Sequence, residues 1–117
     1  MILRGPQDNA GQYTKGERPA PLQYQYLDGN SNALVITGYT IKALLRELSA
    51  DPSTTQTLNG TVADGPNGVA QYTWTGNEWT TPGKWLMEFW AGNGTQRFAS
   101  VIITMDVAVS IGTPPNI

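Results

Sequence analysis

Hydrophobic and polar residues alternate along much of this chain, and a two-residue period is typical of β-strands with one buried face. The clearest case is residues 21–28, where Leu22, Tyr24 and Tyr26 alternate with glutamines. Seven segments are predicted as strands: residues 21–28, 33–37, 39–48, 56–63, 69–75, 84–91 and 97–107. Residues 56–63 offer only two apolar side chains for burial, so this strand is expected at a sheet edge.

Short polar segments rich in glycine and proline separate these strands. Residues 64–68 (Asp-Gly-Pro-Asn-Gly) and residues 81–83 (Thr-Pro-Gly) are strong turn signals. Seven short strands with regular turns predict an all-β fold, an immunoglobulin-like β-sandwich. Because the chain has no cysteine, the prediction concerns the architecture and not the disulfide of antibody domains.

Length and composition predict one folded body with two arms. A chain of 117 residues suits one domain with one core, placed here at residues 19–107. Residues 1–18 hold little apolar content and cannot offset an ordering entropy of about 1–2 kcal/mol per residue, which predicts an extended N-terminal arm. Residues 108–117 are predicted as a C-terminal tail. Such segments are either frayed ends or assembly arms; as arms, they would anchor on neighbouring subunits through Leu3 and Ile111.

Low charge narrows the class of partner. Charged residues make up 14% of the chain and the net charge is −2, which argues against a nucleic-acid partner and against a polybasic membrane patch. No apolar run approaches the roughly 20 residues that span a bilayer. The first residues lack the apolar core of a signal peptide, so we expect synthesis in the cytoplasm without export.

Catalytic and metal chemistry have few candidate residues. The chain contains neither cysteine nor histidine, which removes thiolate chemistry and the commonest general base and metal ligand. Five carboxylates lie on separate turns and strands and are expected to be solvated: Asp51, Asp64, Glu78, Glu88 and Asp106. We therefore expect no enzyme activity, no cofactor and no metal site.

One segment has the opening spacing of a calcium-binding loop. Asp28, Asn30 and Asn32 follow the D-x-N-x-N pattern. The sixth and twelfth positions of such a loop are Gly and Glu, but here they are Ala33 and Tyr39. A hairpin turn rich in Asn and Gly is therefore the preferred interpretation.

Strand phase predicts the environment of two of the four tryptophans. Trp74 and Trp85 fit the inward phase of their strands and are predicted to be buried. Trp79 follows a Gly-Asn-Glu loop and is compatible with either environment. Exposed aromatic rings can serve as platforms for sugars, so a glycan-binding module that uses Trp79 and Trp90 is one alternative function.

Strand phase predicts an apolar outward surface in the last two strands. Polar side chains there fix which positions face solvent, and four apolar residues share those positions: Leu86, Trp90, Phe98 and Ile102. A contiguous apolar patch on a solvent face marks an interface. These four residues are therefore predicted to contact another protein chain.

The connection between these two strands sets their register. A two-residue turn would oppose an inward residue to an outward one, so a longer loop or a bulge is expected. With a five-residue loop centred on Gly94, Trp90 would lie opposite Phe98. The same register would place Leu86 opposite Ile102.

Several short motifs also follow a particular order along the chain. Lys15-Gly16-Glu17 precedes the first strand, an Asp28-Gly29 turn follows it, and residues 34–38 (Leu-Val-Ile-Thr-Gly) lead into the third strand. Residues 67–75 and 82–89 continue the series. This order resembles the N-terminal domain of phage baseplate upper proteins, an immunoglobulin-like virion module, over roughly residues 15–107. The resemblance implies the same fold and a structural role in a virion.

Residues 39–48 fit two periodicities. Ile41, Leu44, Leu45 and Leu48 form a helical stripe, and the composition favours a helix after Thr40. Ile41, Ala43 and Leu45 also alternate as in a strand. We predict a strand, because the resemblance implies a strand at this position.

These observations predict a non-enzymatic virion structural protein of a phage. It would act by packing, as an assembly adaptor in the tail, baseplate or neck, with other virion subunits as partners and as a homo-oligomer within the particle. A small capsid cement or decoration protein is the first alternative, and the glycan-binding module is the second. The expected location is the virion, after synthesis in the host cytoplasm.

Overall fold

The computed structural model describes residues 2–117, and strands dominate it. Ten strands run in chain order: β1 (Ile2–Arg4), β2 (Asn9–Thr14), β3 (Leu22–Gln25), β4 (Thr40–Glu47), β5 (Gln56–Asn59), β6 (Thr61–Asp64), β7 (Val69–Tyr72), β8 (Gly83–Gly92), β9 (Arg97–Ala99) and β10 (Ile103–Ala108). One 3₁₀ turn, Pro52–Thr54, lies between β4 and β5. Within residues 2–117, no helix has the length and apolar character required to cross a membrane.

The strands form two packed sheets. The smaller sheet has the order β1-β3-β7-β6, and the larger has the order β2-β10-β8-β4-β5 with β9 paired to β8. In variable-type immunoglobulin domains, strands B-E-D and G-F-C-C′ follow each other in the same spatial order. The predicted all-β sandwich is therefore confirmed. One difference is that β1 pairs with β3 in parallel, where antibody sheets are antiparallel.

The core lies between the sheets and consists of the inward side of the alternating strands. In β8, Trp85, Met87 and Phe89 are 2%, 1% and 0% exposed, while the residues between them face outward. Trp74 and Trp85 are both buried, as predicted. Alternation in these strands is therefore a direct result of one sheet face packing on the other sheet.

β4 confirms the strand prediction for residues 39–48. It pairs with β5 on one side and with β8 on the other. Ile41, Ala43 and Leu45 point inward and are at most 2% exposed. Helix-favouring composition is overridden here because a central strand satisfies its backbone hydrogen bonds on both edges and buries the alternate side chains.

The prediction of an extended N-terminal arm at residues 1–18 is wrong for two segments. β1 pairs with β3 in the smaller sheet, and β2 pairs with β10 in the larger sheet. Leu3 is 4% exposed and Ala10 is 2% exposed. The composition of residues 1–18 cannot support a core by itself, but strands elsewhere in the chain supply the hydrogen-bond partners and the apolar contacts.

Residues 33–37 do not form the predicted strand. Leu27 and Ala33 make an isolated bridge, and the chain then runs irregularly to β4. The Ile36 amide donates to Gly65 O at 2.9 Å, and the Ile36 side chain is fully buried. The Leu34 amide donates to Tyr26 O, just after β3. This apolar run therefore fills the core from a loop, because these amides do not form a continuous ladder with a neighbouring strand.

Residues 56–63 form two edge strands instead of one. β5 is at the edge of the larger sheet and β6 is at the edge of the smaller sheet, and Gly60 connects them. A Cβ at Gly60 would lie 2.7 Å from both Gln71 O and Ile41 Cγ2. Only glycine fits this close approach, so Gly60 lets the chain cross from one sheet to the other.

The strand predicted for residues 97–107 is interrupted between β9 and β10. The Ser100 amide donates to Phe89 O at 2.8 Å, and the Phe89 amide donates to Ser100 Oγ at 2.9 Å. The Ser100 hydroxyl thus takes the place of a main-chain carbonyl as the acceptor for the Phe89 amide of β8. Phe98 and Ile103, five residues apart, both face inward, so the interruption changes the strand phase by one residue.

The residues after β10 lie outside both sheets. Within the predicted tail, Ala108 still belongs to β10, and residues 109–117 form no strand. Arg18 Nη2 donates to the carbonyl oxygen of Ile117 at 3.1 Å, so this C-terminal segment folds back over the loop that follows β2. Ordering of this segment on a neighbouring subunit stays a prediction.

Candidate interaction surface

The larger sheet has one side on the core and one side on solvent, and we call its solvent side the outer face. It consists of the outward side chains of β2, β4, β5, β8, β9 and β10, together with Ile102. Residues paired across antiparallel strands share a face, and the pairing of β8 with its neighbours therefore fixes which residues belong to it. Four large apolar side chains lie on the outer face: Leu44, Leu86, Trp90 and Ile102.

The apolar side chains of the outer face are close together. Leu44, Leu86 and Ile102 border one shallow depression of about 180 Å³. Ile102 is 50% exposed, and the other three are partly exposed. Trp90 borders a second depression, of about 580 Å³, next to the loop between β8 and β9. The apolar surface therefore extends along most of the length of β8.

Glu88 lies at the centre of these apolar residues. It is paired with Leu44 across β4 and stands between Leu86 and Trp90 on the outward side of β8. Trp90 Nε1 donates to Glu88 Oε1 at 2.6 Å. This hydrogen bond satisfies the indole N–H and restrains the Trp90 ring on the sheet surface.

Basic side chains surround this apolar centre. Lys42 is paired with Trp90, and Arg46 is paired with Leu86. Lys84 makes a 3.4 Å salt bridge with Asp106 at the end of β10. Arg97 of β9 is exposed beside the second depression. Four of the seven Lys and Arg residues of the chain therefore lie on the outer face.

Three of the predicted interface residues lie on the outer face, but their register differs from the prediction. Leu86, Trp90 and Ile102 face outward. Trp90 is paired with Ala99, and Leu86 is paired with Thr104. The pairings of Trp90 with Phe98 and of Leu86 with Ile102 are therefore wrong. The loop between β8 and β9 has four residues, 93–96, and not five, which shifts the register by one residue at Trp90. The interruption between β9 and β10 adds a second residue of shift at Leu86.

The prediction that Phe98 faces outward is wrong. Phe98 is paired with Ala91, which is fully buried, so Phe98 points toward the core. Its ring centroid lies 6.3 Å from that of Tyr26 and 5.9 Å from that of Tyr39. The interruption at residues 100–102 inverts the phase between β9 and β10, and the alternation of residues 97–107 cannot reveal it.

The two predicted anchors in the terminal segments have opposite environments. Leu3 is buried next to β3 within the chain itself, so its prediction as an exposed anchor is wrong. Ile111 is fully exposed in the C-terminal segment. Only Ile111 is therefore available for contact with another chain, and its role stays a prediction.

Leu44 is the one large apolar residue of the outer face that the sequence reasoning missed. Once residues 39–48 are a strand with Ile41, Ala43 and Leu45 inward, Leu44 must face outward. The strand alternation of residues 39–48 indicates this outward position, whereas the helical stripe of the same residues would place Leu44 on the buried side.

Glu78 is the exception among the five carboxylates predicted to be solvated, because it is only 3% exposed. One carboxylate oxygen accepts from the Tyr72 hydroxyl at 2.5 Å and from the Thr75 amide at 2.7 Å. The other accepts from the Gly76 amide at 3.0 Å. Burial works to raise the pKa of Glu78, but the hydrogen bonds from Tyr72 and Thr75 outweigh it, and the pKa lies below its ordinary value.

Trp79 belongs to the core and not to a sugar-binding platform. It is 1% exposed, and its ring stacks between Trp74 and Tyr13 at centroid distances of 4.4 and 4.9 Å. Trp79 Nε1 donates to Met105 Sδ at 3.3 Å. Trp90 is then the only one of the two proposed platform residues with ring surface available to a ligand.

The Asp28 carboxylate is hydrogen-bonded within its own turn. The Asp28 carboxylate accepts from the amides of Asn30 and Asn32 at 2.8 and 3.0 Å. This confirms the predicted hairpin turn. Across residues 2–117, no three or more Asp and Glu side chains converge as metal ligands would.

Comparison with known proteins gives a structural similarity without a sequence match. No protein-family model matches the chain, and no curated protein matches it. Ten solved chains match it in fold. One is the N-terminal domain of phage TP901-1 ORF48, with a TM-score of 0.61 and 14% sequence identity, over 92% of this chain and 94% of that chain. At this identity the similarity establishes the fold.

Proposed function

We propose that the protein is a non-enzymatic structural protein of a phage virion. In this proposal it acts as an assembly adaptor in the tail, baseplate or neck and uses the outer face to bind a neighbouring subunit. The outer face is the observation that carries the proposal. The similarity to a domain of a phage protein over nearly the full length of both chains supports the virion setting.

The apolar residues of the outer face are not needed to complete the core. The opposite side of the larger sheet already provides a packed interior, in which Phe89 and Ile103 are fully buried. Leu44, Leu86, Trp90 and Ile102 therefore remain available. Covering about 200 Å² of their apolar surface would contribute about 5 kcal/mol before the costs of association.

The glycan-binding alternative is weakened by the burial of Trp79. A sugar site on the outer face would have Trp90 as its single aromatic platform. Lys42 is paired with Trp90, and Glu88 accepts from its indole N–H. Leu86 and Ile102 continue the surface with aliphatic groups. A broad aliphatic surface favours a protein partner, because sugar sites combine aromatic rings with many hydrogen-bonding groups.

Replacing Trp90 by alanine tests the proposal. Phages that carry Trp90→Ala should incorporate much less of this protein into particles, measured by quantitative mass spectrometry of purified virions. The isolated variant should lose about 1 kcal/mol or less of its free energy of unfolding, because Trp90 lies outside the core.

Phe98→Ala is the matched control, because Phe98 is an aromatic residue of the adjacent strand that points inward. It should cost about 2 kcal/mol of stability and leave incorporation near the wild-type level. Normal incorporation of Trp90→Ala would contradict the proposed role of the outer face.

A further inference from the structure

The charge of the chain is divided unevenly over its surface. The outer face carries four basic residues, Lys42, Arg46, Lys84 and Arg97, and two acidic ones, Glu88 and Asp106, which makes it net +2. The remaining three basic and seven acidic residues make the rest of the chain net −4. The overall charge of −2 therefore conceals one basic face on an acidic protein.

We propose that the outer face binds a different virion subunit, whose contact surface has acidic side chains around an apolar centre. This inference rests on the proposed function and specifies the partner. The basic residues lie directly beside the apolar ones, with Lys42 next to Trp90 and Arg46 next to Leu86. A partner that covers the apolar centre must therefore also face these cations.

Most of the positive charge on the outer face has no salt-bridge partner among residues 2–117. The pair formed by Lys84 and Asp106 is the single salt bridge found among residues 2–117. Lys42 Nζ donates to the neutral Asn59 side chain, and no carboxylate pairs with Arg46 or Arg97 in that part of the chain. Acidic groups on the partner would supply the missing counter-charges and give the contact its specificity.

Packing of two outer faces against each other does not fit this charge distribution. A two-fold dimer places the same patch on both sides of the interface, which would bring two net positive surfaces together. Like charges across an interface oppose association. The outer face is therefore unsuited to a symmetric self-contact.

Among residues 2–117, the other sheet does not match the outer face either. The outward side of the smaller sheet is lined by glutamines, Gln23, Gln25 and Gln71. The large exposed apolar residues elsewhere lie in loops and in the C-terminal segment, namely Val35, Leu48, Val109, Ile111 and Ile117. Residues 109–117 contain no acidic side chain. Neither the smaller sheet nor the C-terminal segment of a second copy thus offers an apolar centre with an acidic rim.

Binding to particles that lack this protein tests the inference. Virions or tail structures from a phage with this gene deleted serve as the probe, and purified protein is added back at increasing concentrations. Lys42→Glu/Arg46→Glu should bind at least about tenfold more weakly than wild type. Wild-type binding should also weaken as the salt concentration rises.

Arg4→Glu is the matched control, because Arg4 is an exposed arginine of the smaller sheet. It should bind like wild type. Equal losses for Arg4→Glu and the double variant, or no loss for the double variant, would overturn the inference. If the double variant fails to fold, Lys42→Gln/Arg46→Gln removes the same two charges and should still bind several-fold more weakly.

A photo-reactive cross-linker at position 44 identifies the partner in assembled particles. The expected adduct joins this chain to a different subunit, at a site where apolar residues are flanked by Asp or Glu. An adduct with a second copy of the chain, or with nucleic acid, would overturn the inference. Normal binding of Trp90→Ala, by contrast, would overturn the proposed function itself, so the two failures can be distinguished.

Discussion

Glu78 shows how one buried carboxylate can organise a long connection. The segment between β7 and β8 has ten residues, 73–82, and Glu78 accepts hydrogen bonds from the hydroxyl of Tyr72 and from the amides of Thr75 and Gly76. The Tyr72 hydroxyl is buried and would otherwise lack an acceptor. The carboxylate thus fixes the path of the chain where it enters β8.

Replacement of Glu78 by alanine should destabilise the protein. The Tyr72 hydroxyl and the two amides lose their acceptor, and a buried unsatisfied group costs about 1–3 kcal/mol. Urea unfolding should show a loss in this range or above it. Asp8→Ala is the control, because Asp8 is an exposed carboxylate, and it should change stability little. Equal stability of Glu78→Ala and Asp8→Ala would contradict this role.

Glu78 should also make stability depend on pH. Its pKa in the folded protein is below the ordinary value of 4.5, so the unfolded chain binds a proton more readily than the folded one. The contribution is present above that ordinary value and is lost as the pH falls through the folded pKa. The fall in the free energy of unfolding between about pH 7 and about pH 3 should be smaller in Glu78→Gln than in wild type; an unchanged pH profile would disprove the link.

At the residue scale, the sequence predicted burial well where alternation was unbroken. Trp85 is a core residue because β8 keeps a regular phase, and Trp74, two residues after the end of β7, continues the inward phase of that strand. Glu78 was missed because an isolated carboxylate is normally solvated, and only the folded connection brings Tyr72 within hydrogen-bond distance. Trp79 could not be assigned, because a loop residue has no strand phase to indicate its direction.

At the element scale, the break between β9 and β10 decides which side chains reach the outer face. Ser100 supplies a hydroxyl acceptor to the Phe89 amide of β8, and this contact maintains the edge of β8 where the main-chain ladder is interrupted. The break allows Phe98 to point inward while Ile102 remains outward. A strand without it would place both residues on the same side.

Ser100→Ala should weaken this junction. The Phe89 amide is buried and would lose its acceptor, so we expect a loss of about 1–3 kcal/mol in the free energy of unfolding. Hydrogen exchange at the Phe89 amide should become faster than at other amides of β8. The control is Ser110→Ala in the C-terminal segment, which should change neither quantity; unchanged protection of Phe89 in Ser100→Ala would refute the role of the hydroxyl.

The N-terminal strands should be required for stability. Removal of residues 1–14 deletes β1, which pairs with β3, and β2, which pairs with β10. It also removes the buried side chains of Leu3 and Ala10. We expect a fall in melting temperature of several degrees or more, because burial of one leucine alone is worth about 2–3 kcal/mol. A truncated protein that melts at the wild-type temperature would show instead that residues 1–14 are an extended arm that adds nothing to stability.

The errors at the element scale have a common physical cause. β1, β2 and the strands on either side of Gly60 depend on pairing with distant parts of the chain, and local composition does not record those partners. Residues 33–37 are apolar enough for a strand, but the Leu34 amide bonds to Tyr26 and the Ile36 amide to the turn at Gly65, so no continuous ladder forms. β4 was predicted correctly through a resemblance, since its local propensity favours a helix.

At the scale of the whole molecule, the two sheets have different outward surfaces. The smaller sheet presents glutamines and the larger sheet presents apolar residues ringed by cations, although both bury one face in the same core. The sequence predicted the sandwich and the outward direction of three of the four large apolar residues of the outer face, Leu86, Trp90 and Ile102. The basic residues around the apolar centre of the outer face were not predicted, because net charge alone does not reveal how charges are distributed over the surface.

A reconstruction of the assembled particle by cryo-electron microscopy would test the central claim most directly. The outer face is proposed to be an intersubunit surface in a virion. Our account predicts that this chain is found in the particle with Leu44, Leu86 and Trp90 covered by a different subunit, and with acidic side chains of that subunit near Arg46. A particle in which the outer face of this chain points to solvent would contradict the account.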